Sequence, residues 1–299
     1  MFKFWVLGSM LVASPLAASD GSLVIVGGGL SADNSPIYRA FIERAKGGSI
    51  AIIPSASGEP QASLDAFAAN LQRHGVEASR IVGVHLATID DPSTPVDEAA
   101  WAKNAADKGE IAKIATADAI WFTGGAQART MDVLRRDGKD TPMLRAIRKR
   151  LKAGAVIGGT SAGAAIMGTG MIYCGDPKRA HEPLGKSVAD CIAADGIGEP
   201  VVLGRGLGFL KGYVVDQHFA ERGRAPRLHR AQACGAGWGM GIGEDTAVVV
   251  DLAKWRAHVV GKGKVMTIDK PRPRNDCAYP SGVGEVVFHD AGQEVTLQK

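Results

Sequence analysis

The chain predicts an α/β fold, a mostly parallel sheet with helices on both faces and an antiparallel C-terminal edge, and three observations predict it. Short apolar runs of strand length alternate with amphipathic runs of helix length from Leu23 onward. Several apolar runs stop directly at glycines, Gly27-Gly28-Gly29, Gly124-Gly125 and Gly158-Gly159, as strands do where they turn at the carboxyl edge of such a sheet. Beyond Asp251 the runs become short and closely spaced, which reads as hairpins along one edge.

Leu23-Val24-Ile25-Val26 is the first strand, closed by the three glycines. Ser35 to Ala45 follows as a helix, with Pro36 in the first turn where its missing N–H costs nothing. Ser49 to Ile53 is the second strand, stopped by Pro54. Gln61 to His74 is a helix whose Leu64, Phe67, Ala68 and Leu71 share a face. Ile81 to Val84 is a third strand, Val96 to Ala106 and Ile111 to Ala115 are helical, and Ala119 to Thr123 is a fourth strand. Ala126 to Arg135 and Pro142 to Ala153 are helices, Ala155 to Ile157 is a strand, and Ala162 to Met167 is helical again.

Tyr173 to Gly204 reads as an irregular insertion, the mark of a functional loop or flap. Lys211 to Phe219 is a strand ending in polar residues, and Trp238 to Thr246 is a glycine-rich stretch leading into the strand Ala247 to Asp251. Arg256 to Val260, Lys264 to Asp269, Val283 to Phe288 and Glu294 to Leu297 are the edge strands. The triple glycine is not a dinucleotide fingerprint, because the G-x-G-x-x-G continuation fails at Ala32 and no acidic residue ends the second strand.

With 299 residues, 45% of them hydrophobic and 22% charged, the chain can fill a large core. A net charge of +4 suits an acidic ligand, but no Lys/Arg block gives it a nucleic-acid signature. Lys3, the apolar run Phe4 to Val12 and the small residues Ala13 to Ser19 form a signal peptide over 1–19, cleaved after Ala18 or Ser19. The run is too short to span a bilayer comfortably. Residues 20–299 are then a single exported domain, periplasmic or extracellular. In that setting the four cysteines predict two disulfides. Cys174 with Cys191 and Cys234 with Cys277 is one of the three pairings, and the spacings do not resemble a zinc site.

Gly159-Thr160-Ser161-Ala162-Gly163 matches the G-x-S-x-G elbow, a sharp strand-to-helix turn that lifts a serine above the sheet. The helix beyond it turns unpaired N–H groups toward the oxyanion that forms on attack, so Ala162 is one oxyanion-hole donor and Gly125 the other. A serine needs a base, and the base needs an acid to orient it. Of seven histidines, His218 sits where a strand ends among polar residues, as the elbow does. Glu244 and Asp245 precede a strand in a glycine-rich turn and are the candidate acids. The order Ser, His, acid differs from the Ser, Asp, His order of α/β-hydrolases.

Four ordered motifs carry a family resemblance: Phe122-Thr123-Gly124-Gly125, the elbow, Asp216-Gln217-His218-Phe219 with its following arginines, and Gly241 to Ala247. From about Leu23 to Asp251 the chain resembles the cyanophycinases, serine peptidases related to aspartyl dipeptidase E within the class I glutamine-amidotransferase-like folds. The resemblance implies Ser161 as nucleophile, His218 as base and Glu244 as acid, with Asp245 as the alternative acid. It sets Gln127, Asp216, Gln217, Arg222, Arg224 and Arg227 around the substrate. That substrate would be cyanophycin, a poly-aspartate backbone with arginine on each β-carboxyl, cut to β-aspartyl-arginine dipeptides without a metal or organic cofactor. Guanidinium groups would chelate its α-carboxylates, and Asp216 would pair with a substrate arginine. Ala126 stands where the family has an acid or amide before its glutamine, and Gly243 runs directly into Glu244. An aspartyl dipeptidase is the nearest alternative, and a non-catalytic binding protein of the same fold is a more distant one. By analogy with this kind of fold, a homodimer is the assembly to expect.

Overall fold

The computed structural model describes residues 21–193, 198–269, 277 and 285–298. The expected signal peptide, 1–19, lies outside them, as does Val283 at the start of one expected strand. Toward the elbow the chain forms β1 (Ser22–Val26), α1 (Ser35–Arg44), β2 (Ile50–Ile53), α2 (Pro60–Arg73), β3 (Ile81–Gly83), α3 (Lys108–Thr116), β4 (Ala119–Phe122), α4 (Gln127–Leu134), a hairpin of β5 (Arg135–Arg136) and β6 (Lys139–Asp140), α5 (Pro142–Lys152) and β7 (Val156–Thr160). Beyond it come α6 (Ala162–Ala165), β8 (Gly168–Cys174), α7 (Val188–Ala193), β9 (Val202–Arg205), β10 (Leu210–Asp216), α8 (Ala225–Ala233), β11 (Trp238–Ile242), β12 (Thr246–Asp251), β13 (Arg256–Gly261), β14 (Val265–Ile268), β15 (Val286–His289) and β16 (Glu294–Val295).

The larger sheet has the order β16-β13-β12-β1-β7-β4-β2-β3. β1, β7, β4, β2 and β3 run parallel, which is why β2 and β4 are apolar and buried at every position. β12, β13 and β16 extend it antiparallel on the β1 side, the expected C-terminal edge. α1 and α2 cover one face through Phe41, Phe67 and Leu71, while α5 turns Met143, Leu144 and Ile147 into the core on the other.

A second sheet, ordered β15-β14-β11-β10-β8-β9, corrects part of the expectation. The stretch from Tyr173 to Gly204 is not irregular throughout: it holds the end of β8, a short 3₁₀ turn at Pro177–Arg179, α7 and β9. The glycine-rich approach to Ala247 contains β11. β11 keeps the strand period of two, but glycine fills the alternate positions. A Cβ on Gly241 would come within 2.5 Å of the Phe219 ring, and one on Gly239 within 3.0 Å of the Gln232 side chain, so close packing of the covering residues excludes larger ones. Two helices also differ from expectation. The residues Glu98–Ala106 are 3₁₀, and the elbow helix ends at Ala165 because the chain re-enters a strand at Gly168.

Disulfides join Cys174 to Cys191, tying the end of β8 to α7, and Cys234 to Cys277. Among the described residues no helix is long and apolar enough to cross a membrane.

Candidate active site

Ser161 follows β7 at the carboxyl edge of the larger sheet with φ 55° and ψ −114°, outside the ordinary regions for a residue with a Cβ. The surroundings hold it there: its backbone N–H donates to Val26 O at 3.0 Å, and α6 starts directly behind it. Ala162, as the first residue of α6, has no acceptor for its N–H inside the helix. Gly125, at φ 130°, packs so tightly on Ala56 that a Cβ would stand 2.0 Å from its carbonyl oxygen.

His218 lies just past β10, the central parallel strand of the second sheet, so the site straddles the two sheets. Its Nε2 is 2.9 Å from Ser161 Oγ, and its Nδ1 is 2.5 Å from Glu244 Oε1. With Nδ1–H donating to the carboxylate, Nε2 is left to accept from the serine hydroxyl. The triple glycine after β1 makes this closure possible. His218 N–H donates to Gly27 O, and a Cβ on Gly28 would stand 2.3 Å from the imidazole, one on Gly29 2.7 Å from the Glu244 carboxylate. Asp245, the other candidate acid, is engaged elsewhere. Its carboxylate accepts from Ser31 N–H at 2.9 Å and Asn34 Nδ2 at 2.7 Å, and pairs with Lys262 at 2.7 Å. Burial raises its carboxyl, but the bonds from Lys262, Asn34 and Ser31 outweigh this and hold it below the usual carboxylate range.

On one side of Ser161 opens a cleft of about 570 Å³, lined by Gly125, Gln127, Gln217, Arg222, Arg224 and Arg227, with Gly175 and Asp176 from the far wall. Gln127 is buried and donates to Ile172 O at 2.8 Å, and Gln217 Oε1 stands 3.4 Å from Ser161 Oγ. Asp216 does not face the cleft as expected. It is 1% exposed, takes Arg227 through both oxygens at 2.7 and 2.5 Å, and has Arg224 at 3.7 Å. With Asp216 closed to solvent and engaged by Arg227, the expected pairing with a substrate arginine is replaced by an internal one. Arg227 also donates to Gly175 O at 2.9 Å, and Arg224 to Gln217 O at 2.7 Å, two supports that the sequence pattern did not reveal. Arg222 is exposed on the cleft's rim.

The sequence profile of Peptidase family S51 matches residues 23–257. The chain belongs to this family. It is a serine-type peptidase. A cyanophycinase of Trichormus variabilis is 31% identical over 266 residues, covering 87% of this S51 chain and 77% of the relative. One from Nostoc sp. is 32% identical over the same shares, and one from Geminocystis herdmanii is 33% identical over 74% of this chain and 69% of its own. Among solved structures, a peptidase from an acI-B1 Actinobacterium superposes with a TM-score of 0.65, covering 94% of this chain and 98% of that one. At 17% identity it speaks for the fold alone.

Electrostatics in the S51 site favour the uncharged form of the imidazole. Burial lowers the His218 pKa below its ordinary value; the hydrogen bond to Glu244 pulls the other way, and Arg222 and Arg224 add to the lowering. Burial, with the neighbouring Arg227 and Arg222, pushes the Arg224 guanidinium down to about 9 against the pull of Asp216. It stays mostly charged at neutral pH. An uncharged base within reach of a hydroxyl, beside a cleft of fixed cations, is an arrangement for acyl transfer from an anionic substrate.

Proposed function

We propose that this S51 peptidase is exported and hydrolyses cyanophycin to β-aspartyl-arginine dipeptides, with Ser161 as nucleophile, His218 as base and Glu244 as the acid that orients it. The observation that carries the reading is the unbroken line from Ser161 Oγ through His218 to Glu244, at 2.9 and 2.5 Å, on the edge of a cleft lined by three arginines. As Ser161 Oγ attacks the scissile carbonyl, His218 Nε2 takes its proton, and Glu244 stabilises the imidazolium. The N–H groups of Gly125 and Ala162 receive the oxyanion. His218 then protonates the departing amine, and water hydrolyses the acyl-enzyme with His218 as base again.

Each unit of cyanophycin carries a free arginine α-carboxylate, and guanidinium groups recognise carboxylates through paired hydrogen bonds. Arg222, on the rim, and Arg224, on the wall, are the groups that would meet it, with Gln127 and Gln217 beside them. Arg227 and Asp216 act from behind, fixing the loop that carries Gln217 and His218. The cyanophycinases among the relatives support this substrate. The apolar N-terminus and the two disulfides support an oxidising compartment outside the cytoplasm.

The test is incubation of the mature protein with insoluble cyanophycin and mass analysis of the soluble products. The expected product is β-aspartyl-arginine, absent with Ser161→Ala. Inactivity on the polymer, with cleavage of small aspartyl dipeptides, would replace the polymer by a dipeptide and direct attention to Ala126.

A further inference from the structure

Ser161 stands between two clefts. The second, of about 290 Å³, is lined by Leu30, Tyr38, Phe67, Trp121, Thr123 and Thr160, and it includes His218, which the arginine-lined cleft does not. Among the described residues that line it, His218 is the one side chain that can carry a charge near neutral pH. Its wall is built: Phe67 of α2 stacks on Trp121 of β4 with centroids 4.3 Å apart, and Phe41 of α1 packs in the same cluster.

Among the described residues, three buried polar atoms of the lining side chains have no hydrogen-bond partner: Trp121 Nε1, Thr123 Oγ1 and Thr160 Oγ1. Trp121 is 1% and Thr123 4% exposed. Their grouping follows from strand register. Trp121 of β4 lies beside Gly158 of β7, so Thr123 and Thr160, each two residues on, stand together on the same face at the carboxyl edge. A buried polar group left unpaired costs about 1–3 kcal/mol, and three at the edge of one cleft next to a nucleophile point to an acceptor that arrives with the substrate.

The direction of the reaction says which part of the substrate this is. Ser161 Oγ bonds to the carbonyl carbon, the C–N bond breaks, and the proton His218 took from Ser161 goes to the departing nitrogen, which leaves as an amine. The departing residue must therefore lie on the His218 side. We infer that the cleft between Tyr38, Trp121 and Thr160 is the leaving-group subsite. It takes an amino-acid residue whose carbonyl or carboxylate oxygen accepts from Trp121 Nε1–H and the Thr123 and Thr160 hydroxyls, while the acyl part occupies the arginine-lined cleft. The inference rests on the proposed peptidase chemistry at Ser161.

The test compares two substrates with the same acyl part: two linked β-aspartyl-arginine units, and one unit as its methyl ester, which departs as methanol and leaves the subsite empty. In Thr123→Val and Thr160→Val the ratio of kcat/KM for peptide over ester should fall about three- to tenfold, the worth of a lost hydrogen bond. Free β-aspartyl-arginine added as acceptor should also capture less of the acyl-enzyme relative to water. Because valine removes an unpaired hydroxyl without leaving a void, Tm should not fall. An unchanged ratio, or equal losses on both substrates, would overturn the subsite. A wild type that turns over neither substrate would instead overturn the proposed function and the subsite with it.

Discussion

Arg227 grips both carboxylate oxygens of Asp216, at 2.7 and 2.5 Å, directly behind the two residues that reach the site, Gln217 and His218. Both partners are nearly closed to solvent, 4% and 1% exposed at the side chain. Removing one partner of such a pair leaves an uncompensated buried charge, at about 3–5 kcal/mol. Asp216→Asn should therefore lower the unfolding free energy by several kcal/mol in thermal or denaturant unfolding. It should also lower kcat, since Asp216 Oδ1 also accepts from Gln217 N–H at 2.9 Å. Unchanged Tm and kcat would show that the pair is incidental.

The pH dependence follows from the sign of the His218 shift. Burial, with Arg222 and Arg224, lowers the imidazole pKa, so protonation that would silence the proposed base occurs only below its ordinary value of 6.5. The acid limb of kcat/KM should lie below that pH. Because a nearby cation disfavours imidazolium, Arg222→Met should move the limb upward, toward 6.5. The same shift affects stability: between the folded pKa and 6.5 the unfolded chain binds the extra proton, so this group's contribution is lost as pH falls through that window. A limb above 6.5 in the wild type would mean that Glu244, not burial and the arginines, sets the imidazole's affinity for its proton.

How much of this was legible in the chain differs between the two sheets. The parallel strands of the larger sheet read directly, because strands buried on both faces are continuous apolar runs such as Ala119 to Phe122. β11 did not, because packing demands glycine where a surface strand would show polar residues. Ser161 and His218 stood out by their places at strand ends, and the structure brings them within hydrogen-bond distance. Only the family resemblance favoured Glu244 over Asp245, since adjacent carboxylates in a turn point apart only once the backbone is known. Asp245 takes φ 53°, and its side chain meets Ser31 and Asn34 instead of His218. Asp216 misleads for the same reason: a sequence gives a charge but not its partner.

Gly28 offers a test of how closely the first loop sets His218, the proposed base. At φ 103°, with a Cβ due 2.3 Å from the imidazole, Gly28→Ala is strained in its own backbone and collides with His218. A displacement of about 1 Å at a catalytic group costs on the order of a hundredfold in rate. The expected outcome is a loss of kcat of that order with a smaller loss of stability. Full activity would mean that the ring has room to move.

Ser161 itself carries backbone strain, and substitution can separate that strain from its chemistry. A residue with a Cβ at φ 55° and ψ −114° costs about 1–3 kcal/mol, held in place by the strand and helix on either side. Ser161→Ala keeps the Cβ and so keeps the strain; Ser161→Gly removes both hydroxyl and strain, at about 0.5–1 kcal/mol of added chain entropy. Both variants should lose turnover. Ser161→Gly should unfold at higher temperature than Ser161→Ala, by the few degrees that about 1 kcal/mol gives a chain of this size. Equal unfolding temperatures would mean that the elbow holds its serine without strain, and that the conformation serves the chemistry at no cost to the fold.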